Sequence, residues 1–138
     1  MTLLELCYSK PDRILLDSTN CLVRAHLPHY KQLSGEVIRF RLLKLFQALV
    51  KSIESNNCDD MVTFMDKVSD ERYGVGFELH EVQTAINIME ESLWKMISEF
   101  VDSDKKTAAM KQVSCLLGKA KEELAHEYAM LSKEYVSS

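Results

Sequence analysis

The stretch from Arg72 to Val101, RYGVGFELHEVQTAINIMEESLWKMISEFV, constrains what this chain can fold into more than any other. Gly74 and Gly76 bracket Val75, and glycine reaches positive φ without a side-chain clash, so the pair marks the end of a helix. Past Phe77 the apolar residues return at helical spacing. At roughly 100° per residue, Leu79, Val82, Ala85, Ile86, Met89, Leu93, Met96, Ile97 and Phe100 share an arc of about 120°, while Thr84, Glu91, Lys95 and Ser98 lie opposite. A corner followed by a long, core-facing amphipathic helix is the element around which the rest must pack.

The remaining segments repeat that pattern. Residues 1–8 form a short apolar opening, read as a helical turn lying on the body. Ser9-Lys10-Pro11-Asp12 begins a helix, since proline loses nothing at a position whose N–H has no partner and Asp12 favours the positive helix end. Leu27-Pro28 should end it. Ser34 caps the next helix, whose apolar residues from Ile38 to Ile53 span about 160°, with Arg41, Lys44, Gln47, Lys51 and Ser52 opposite. So wide an arc implies a central helix. After the Ser55-Asn56-Asn57 break, Met61, Phe64, Met65 and Val68 mark a shorter helix that ends at Gly74 or Gly76.

The last helix, from about Lys105 to Tyr135, carries a seam of Met110, Val113, Leu117, Ala120, Leu124, Tyr128, Leu131 and Tyr135. Some thirty residues would extend about 45 Å, which exceeds what a compact domain of this size needs. Either part of the seam (Val113, Leu117, Leu124, Tyr128 and Leu131) serves a second chain or another domain, or the helix breaks near Gly118. The expected fold is all-α: a compact antiparallel bundle of about five helices with a long C-terminal helix, in a single domain spanning residues 1–138.

Composition narrows the function classes. With 138 residues the chain can bury a core without metal or disulfide staples, and four Gly and two Pro favour helices joined by short connections. No run approaches the roughly 18 apolar residues of a membrane span, and no secretion signal is recognisable at the start. Cys7, Cys21, Cys58 and Cys115 are scattered without a CxxC pair and read as reduced thiols, so a cytoplasmic location is expected. Residues 1–56 carry eight Lys/Arg against five Asp/Glu, whereas residues 57–138 carry nine against sixteen. That mild asymmetry lacks the clustered basic footprint of a nucleic-acid binder.

No catalytic motif emerges. His26, His29, His80 and His126 belong to neither HExxH nor the ExxH pattern of di-iron bundles, and no metal ligand set is assigned. Gly74-Val75-Gly76 lacks the remainder of a phosphate loop, and Asp59-Asp60 with Asp66 does not match EF-hand spacing. Two features remain as candidate binding groups. Gln83, Asn87, Glu90 and the only tryptophan, Trp94, form a polar stripe at i, i+4, i+7, i+11. That stripe is either a small-ligand groove or a boundary bonding a neighbouring helix. Arg39, within the apolar arc of its helix, is either an anion-binding group or the partner of a carboxylate on an adjacent helix.

Tyr73-Gly74-Val75-Gly76-Phe77-Glu78-Leu79-His80-Glu81-Val82 resembles the opening of a long helix in the N-terminal sensor domains of stress-response regulators, the RsbT co-antagonist (RsbRD) N-terminal family. Leu33-Ser34-Gly35-Glu36, Leu45-Phe46-Gln47-Ala48-Leu49 and the C-terminal helix near Tyr128 are similar too. The resemblance implies a prokaryotic, non-catalytic signalling input domain, either stand-alone or excised from a chain with an output module. It implies no cofactor and carries over no ligand residues. The expected partners are a protein or a second copy of the chain, with a small-molecule signal. A structural homodimerisation bundle and a haem or small-molecule sensor using Trp94, Glu90 and one histidine are the alternatives.

Overall fold

The computed structural model describes the backbone of residues 1–137 and the side chains of residues 1–134. Its element order is α1 (Leu3–Ser9), α2 (Pro11–Arg24), a 3-10 turn (Tyr30–Gln32), α3 (Gly35–Ser55), α4 (Asp59–Gly74), α5 (Leu79–Phe100) and α6 (Lys106–Ser137). There are thus six α-helices rather than about five, and no strand, among the described residues. The additional helix is the apolar opening. Glu5 N–H donates to Thr2 Oγ1 at 3.1 Å and Thr2 N–H to Glu5 Oε1 at 3.2 Å, a reciprocal cap that lets seven residues hold a helix of their own.

The helix starts follow the local chemistry. Pro11 and Asp12 open α2, Ser34 Oγ accepts from Val37 N–H at 3.2 Å to open α3, and Asn57 Oδ1 accepts from Asp59 N–H at 2.9 Å to open α4. Two ends need left-handed residues: His26 (φ 51°), just beyond α2, and Asn56 (φ 55°), which closes α3. The backbone of α2 therefore turns before Leu27-Pro28 is reached.

α3 touches every other α-helix, as its wide apolar arc requires. The arc is wider than the sequence reading gave: Ser52 is fully buried and Arg41 half-buried, although both were assigned to the outer face. A helix surrounded by five others has little outer face to offer. The core is continuous through Leu49, Ile86, Met89, Leu93, Ile97 and Leu117, none more than 2% exposed. Removing one such side chain from water contributes about 1.5–3 kcal/mol.

α6 runs unbroken through Gly118, so its 32 residues extend about 48 Å. It packs chiefly on α4 and α5. Val113, Leu117, Leu124 and Tyr128 are buried within this chain, whereas Leu131 is half-buried and Met130 is 43% exposed. Past Tyr128 no residue through Glu134 is buried, so the helix projects beyond its packing. Tyr135, the end of the expected seam, lies outside the described side chains. No helix among the described residues is long and apolar enough to cross a membrane.

Candidate functional site

The α4–α5 corner holds Arg72 and Glu81, the two charged residues that are buried among the described residues. Gly76 holds φ at 93°, the left-handed region, while Gly76 N–H donates to Tyr73 O and Phe77 N–H donates to Arg72 O at 2.9 Å. These two bonds form the Schellman ending of a helix, which needs glycine at that one position. The motif throws Phe77 inward, where it is 6% exposed. Tyr30 meets the Phe77 ring edge-on at 5.0 Å, His29 lies at 5.0 Å, and the Arg41 and Arg72 guanidinium groups stand 5.6 and 5.7 Å from its centroid.

On one side of Phe77 sits a clamp. Glu81 is completely buried; its Oε1 accepts from His29 N–H at 2.8 Å, and its Oε2 accepts from Glu78 N–H at 2.9 Å and lies 2.6 Å from His29 Nδ1. Burial alone would raise the Glu81 carboxyl, but the bonds from His29 and Glu78 outweigh it and hold the group below its ordinary value. The carboxylate thus caps α5 and ties the residue after Pro28 to the corner. With both oxygens engaged, it is spent on architecture.

Close by, α2, α3, α4 and α5 line a half-open cavity of about 30 Å³, with Tyr30, Arg41 and Arg72 in its wall and otherwise apolar side chains such as Leu45, Met65 and Ile86. Arg72 is 6% exposed. Both guanidinium groups share one carboxylate, the exposed Glu71: Arg72 Nη1 approaches Oε1 at 2.6 Å and Arg41 Nη2 at 3.8 Å. Arg72 Nε and Arg41 Nη1 are buried without an acceptor among the described residues. Burial, reinforced by the Arg72 charge, pulls Arg41 below its ordinary value, although guanidinium groups stay charged at any physiological pH.

Among the described residues, a single hydrogen bond ties this corner to the C-terminal helix. The Tyr128 hydroxyl of α6 donates to the Phe77 carbonyl at 2.9 Å, and its ring meets Tyr73 edge-on at 5.3 Å. Burial pushes the Tyr128 hydroxyl up to about 12, so it remains a donor throughout the working pH range.

Of the residues singled out from sequence, Tyr128 reaches this corner and the ligand-binding candidates lie elsewhere. Along the polar stripe, Asn87 Oδ1 accepts from Lys121 Nζ at 2.9 Å, Glu90 stands 3.8 Å from the same ammonium, and Trp94 Nε1 donates to Ser114 Oγ at 3.1 Å. These three residues bond α6, and Trp94 remains 41% exposed; Gln83 is half-buried on the same helix. Arg39 pairs with Asp12 of α2 at 3.1 Å, an exposed contact worth little. His26, His80 and His126 are exposed, which leaves His29 as the histidine held in a polar cluster.

Asp66 belongs to a different grouping. Its carboxylate and those of Glu123 and Glu127 bring oxygens within 4.8 Å of one another between α4 and α6. The hydrogen bond with Asp66, then burial and the neighbouring negative charges, raise Glu123 above its ordinary value. A raised carboxyl contributes stability that is full below about pH 4.5 and fades as pH rises through its folded value. Glu123→Gln should therefore gain stability at pH 7 relative to pH 4, by about 0.5 kcal/mol, the scale of a like-charge pair one turn apart on a helix. Chemical denaturation at the two pH values checks this, and an equal or opposite difference would contradict it.

Arg41, Arg72, Tyr30 and Glu81 were missed from sequence, although two left a signal. Arg72 continues the Met61-Met65-Val68 face of α4, and Glu81 stands four residues before Ala85 and eight before Met89. A charged residue in register with a buried face is the pattern to look for. No protein-family model matches this chain, and neither the curated proteins nor the solved structures contain a detectable match.

Proposed function

We propose that this chain is a non-catalytic input domain of a regulatory system, in which the state of the α4–α5 corner is passed along α6 to a partner or output domain. The resemblance of Tyr73–Val82 to the RsbRD N-terminal sensor family points the same way. The observation that carries the reading is the Tyr128–Phe77 hydrogen bond. It connects the polar cluster to α6, in which no residue from Ala129 to Glu134 is buried. A two-state element biased at one end and read at the other is the minimum that signal transmission requires. The same projection gives support to the second reading, a bundle that only associates with its own copy or another protein.

Ending the chain at Tyr128 removes a segment in which no described side chain, Ala129 to Glu134, is buried. The shortened protein should fold with an unchanged far-ultraviolet spectrum per helical residue but lose the copies or partners that the full chain retains on affinity purification, as read by native mass spectrometry. Identical complexes from both lengths would remove α6 as the output.

A further inference from the structure

We propose that the cavity beside Phe77 is a binding site for a small carboxylate anion, held at its charged end by Arg41 and Arg72. The assignment rests on the reading of the corner as an input site and names what enters it. Two guanidinium groups converge there and share one carboxylate, and Glu71 is exposed on the rim rather than inside. The other acid close by, Glu81, already has both oxygens bonded to His29 and Glu78. Arg72 Nε and Arg41 Nη1 are thus buried donors without an acceptor among the described residues, and Arg72 is more than nine-tenths buried.

The shape of the cavity selects among anions. A guanidinium fork matches the planar, two-oxygen geometry of a carboxylate, which can accept from both arginines together. At about 30 Å³ the space takes only a few heavy atoms. Tyr30 adds one hydroxyl beside Arg72, and the rest of the wall, with Leu22, Leu45, Phe64, Met65 and Ile86, is apolar. A tetrahedral, strongly hydrated oxyanion would leave oxygens against hydrocarbon, whereas a two- or three-carbon carboxylate places its tail there. Occupancy would act on Arg72, whose carbonyl accepts from Phe77 N–H, and through Phe77 on Tyr128.

The test is calorimetric titration of the full chain with propionate, with chloride and sulfate as controls at matched ionic strength. The expected result is saturable propionate binding with no comparable response to the inorganic ions. Arg41→Gln, at a half-buried position, should weaken that binding at least about tenfold while the protein still melts cooperatively; Arg72→Lys is the second variant and should weaken it as well. No saturable heat, an equal response to sulfate, or wild-type affinity in Arg41→Gln would overturn the site. Amide exchange along α6 separates the two claims. Propionate binding that leaves α6 unchanged upholds the site and contradicts the input reading, whereas α6 that responds to Tyr128→Phe without any propionate binding contradicts the site alone.

Discussion

Glu81→Ala should lower the unfolding free energy by about 3 kcal/mol, among the largest effects expected of one exchange on a helix's first turn. The side chain is completely buried and serves three donors: two backbone N–H groups and the His29 ring. Truncation strands the His29 and Glu78 amides, which are part-buried, at about 1–3 kcal/mol for each unsatisfied group, less whatever water and local relaxation recover. It also removes half of the reciprocal cap of α5. Denaturant titration gives the magnitude, and amide exchange at residues 29 and 78 gives the location. A loss below about 1 kcal/mol would mean the clamp is dispensable.

The pH dependence has a definite sign. Because the folded state holds Glu81 below its ordinary value of 4.5, the stabilisation is present above that pH and is lost as pH falls from 4.5 through the folded value. Wild type should therefore lose stability on acidification in a way that Glu81→Ala does not. The Glu123 contribution runs in the opposite direction, so the two carboxylates can be told apart by slope alone.

Leu117→Asp should abolish the fold. Leu117 has no exposure and lies where α6 packs on α4 and α5. The exchange forfeits the burial of a leucine and places an unpaired carboxylate in hydrocarbon, together at least about 5 kcal/mol, which is comparable to the entire stability of a typical domain. Circular dichroism should show helix lost at neutral pH. Leu131→Asp is the contrast: this half-buried residue lies past the last buried position, so its exchange should cost no more than about 1 kcal/mol. A soluble, folded Leu117→Asp would mean that the inner seam faces a partner rather than this chain's own core.

Periodicity made most of the fold legible. The arcs of α3 and α5, the break at Asn56 and the turn at Gly76 are local matters, decided by residues within one or two turns of each other. The separate α1 was less so: Thr2-Leu3-Leu4-Glu5 is a capping box, but seven residues provide too little periodicity to distinguish a helix from a turn. The stripe from Asn87 to Trp94 was open to two readings because the sequence does not say which helix lies alongside. Its bonds to Ser114 and Lys121 come from positions twenty residues away for Trp94 and thirty-four for Asn87.

The corner was half legible for the same reason. Gly74, Gly76 and Phe77 announce a bend, yet the clamp joins positions 52 residues apart and no short-range pattern links His29 to Glu81. Arg41 was assigned outward because charge on a helix normally faces water. Here its half-buried guanidinium borders a cavity lined by four helices, and the neighbouring Arg72 arrives from α4. Only the packing brings two like charges to one cavity.

Whether the corner governs the end of α6 can be measured most directly by amide hydrogen exchange in the wild type and in Tyr128→Phe. The variant keeps the ring and its contact with Tyr73 but gives up the bond to the Phe77 carbonyl. Exchange should quicken from about Ala125 to Glu134 by up to roughly tenfold, the effect of losing one hydrogen bond of about 1 kcal/mol, with α2 and α3 unchanged. Superimposable exchange along α6 in the two proteins would contradict the coupling, and with it the reading of this chain as an input domain.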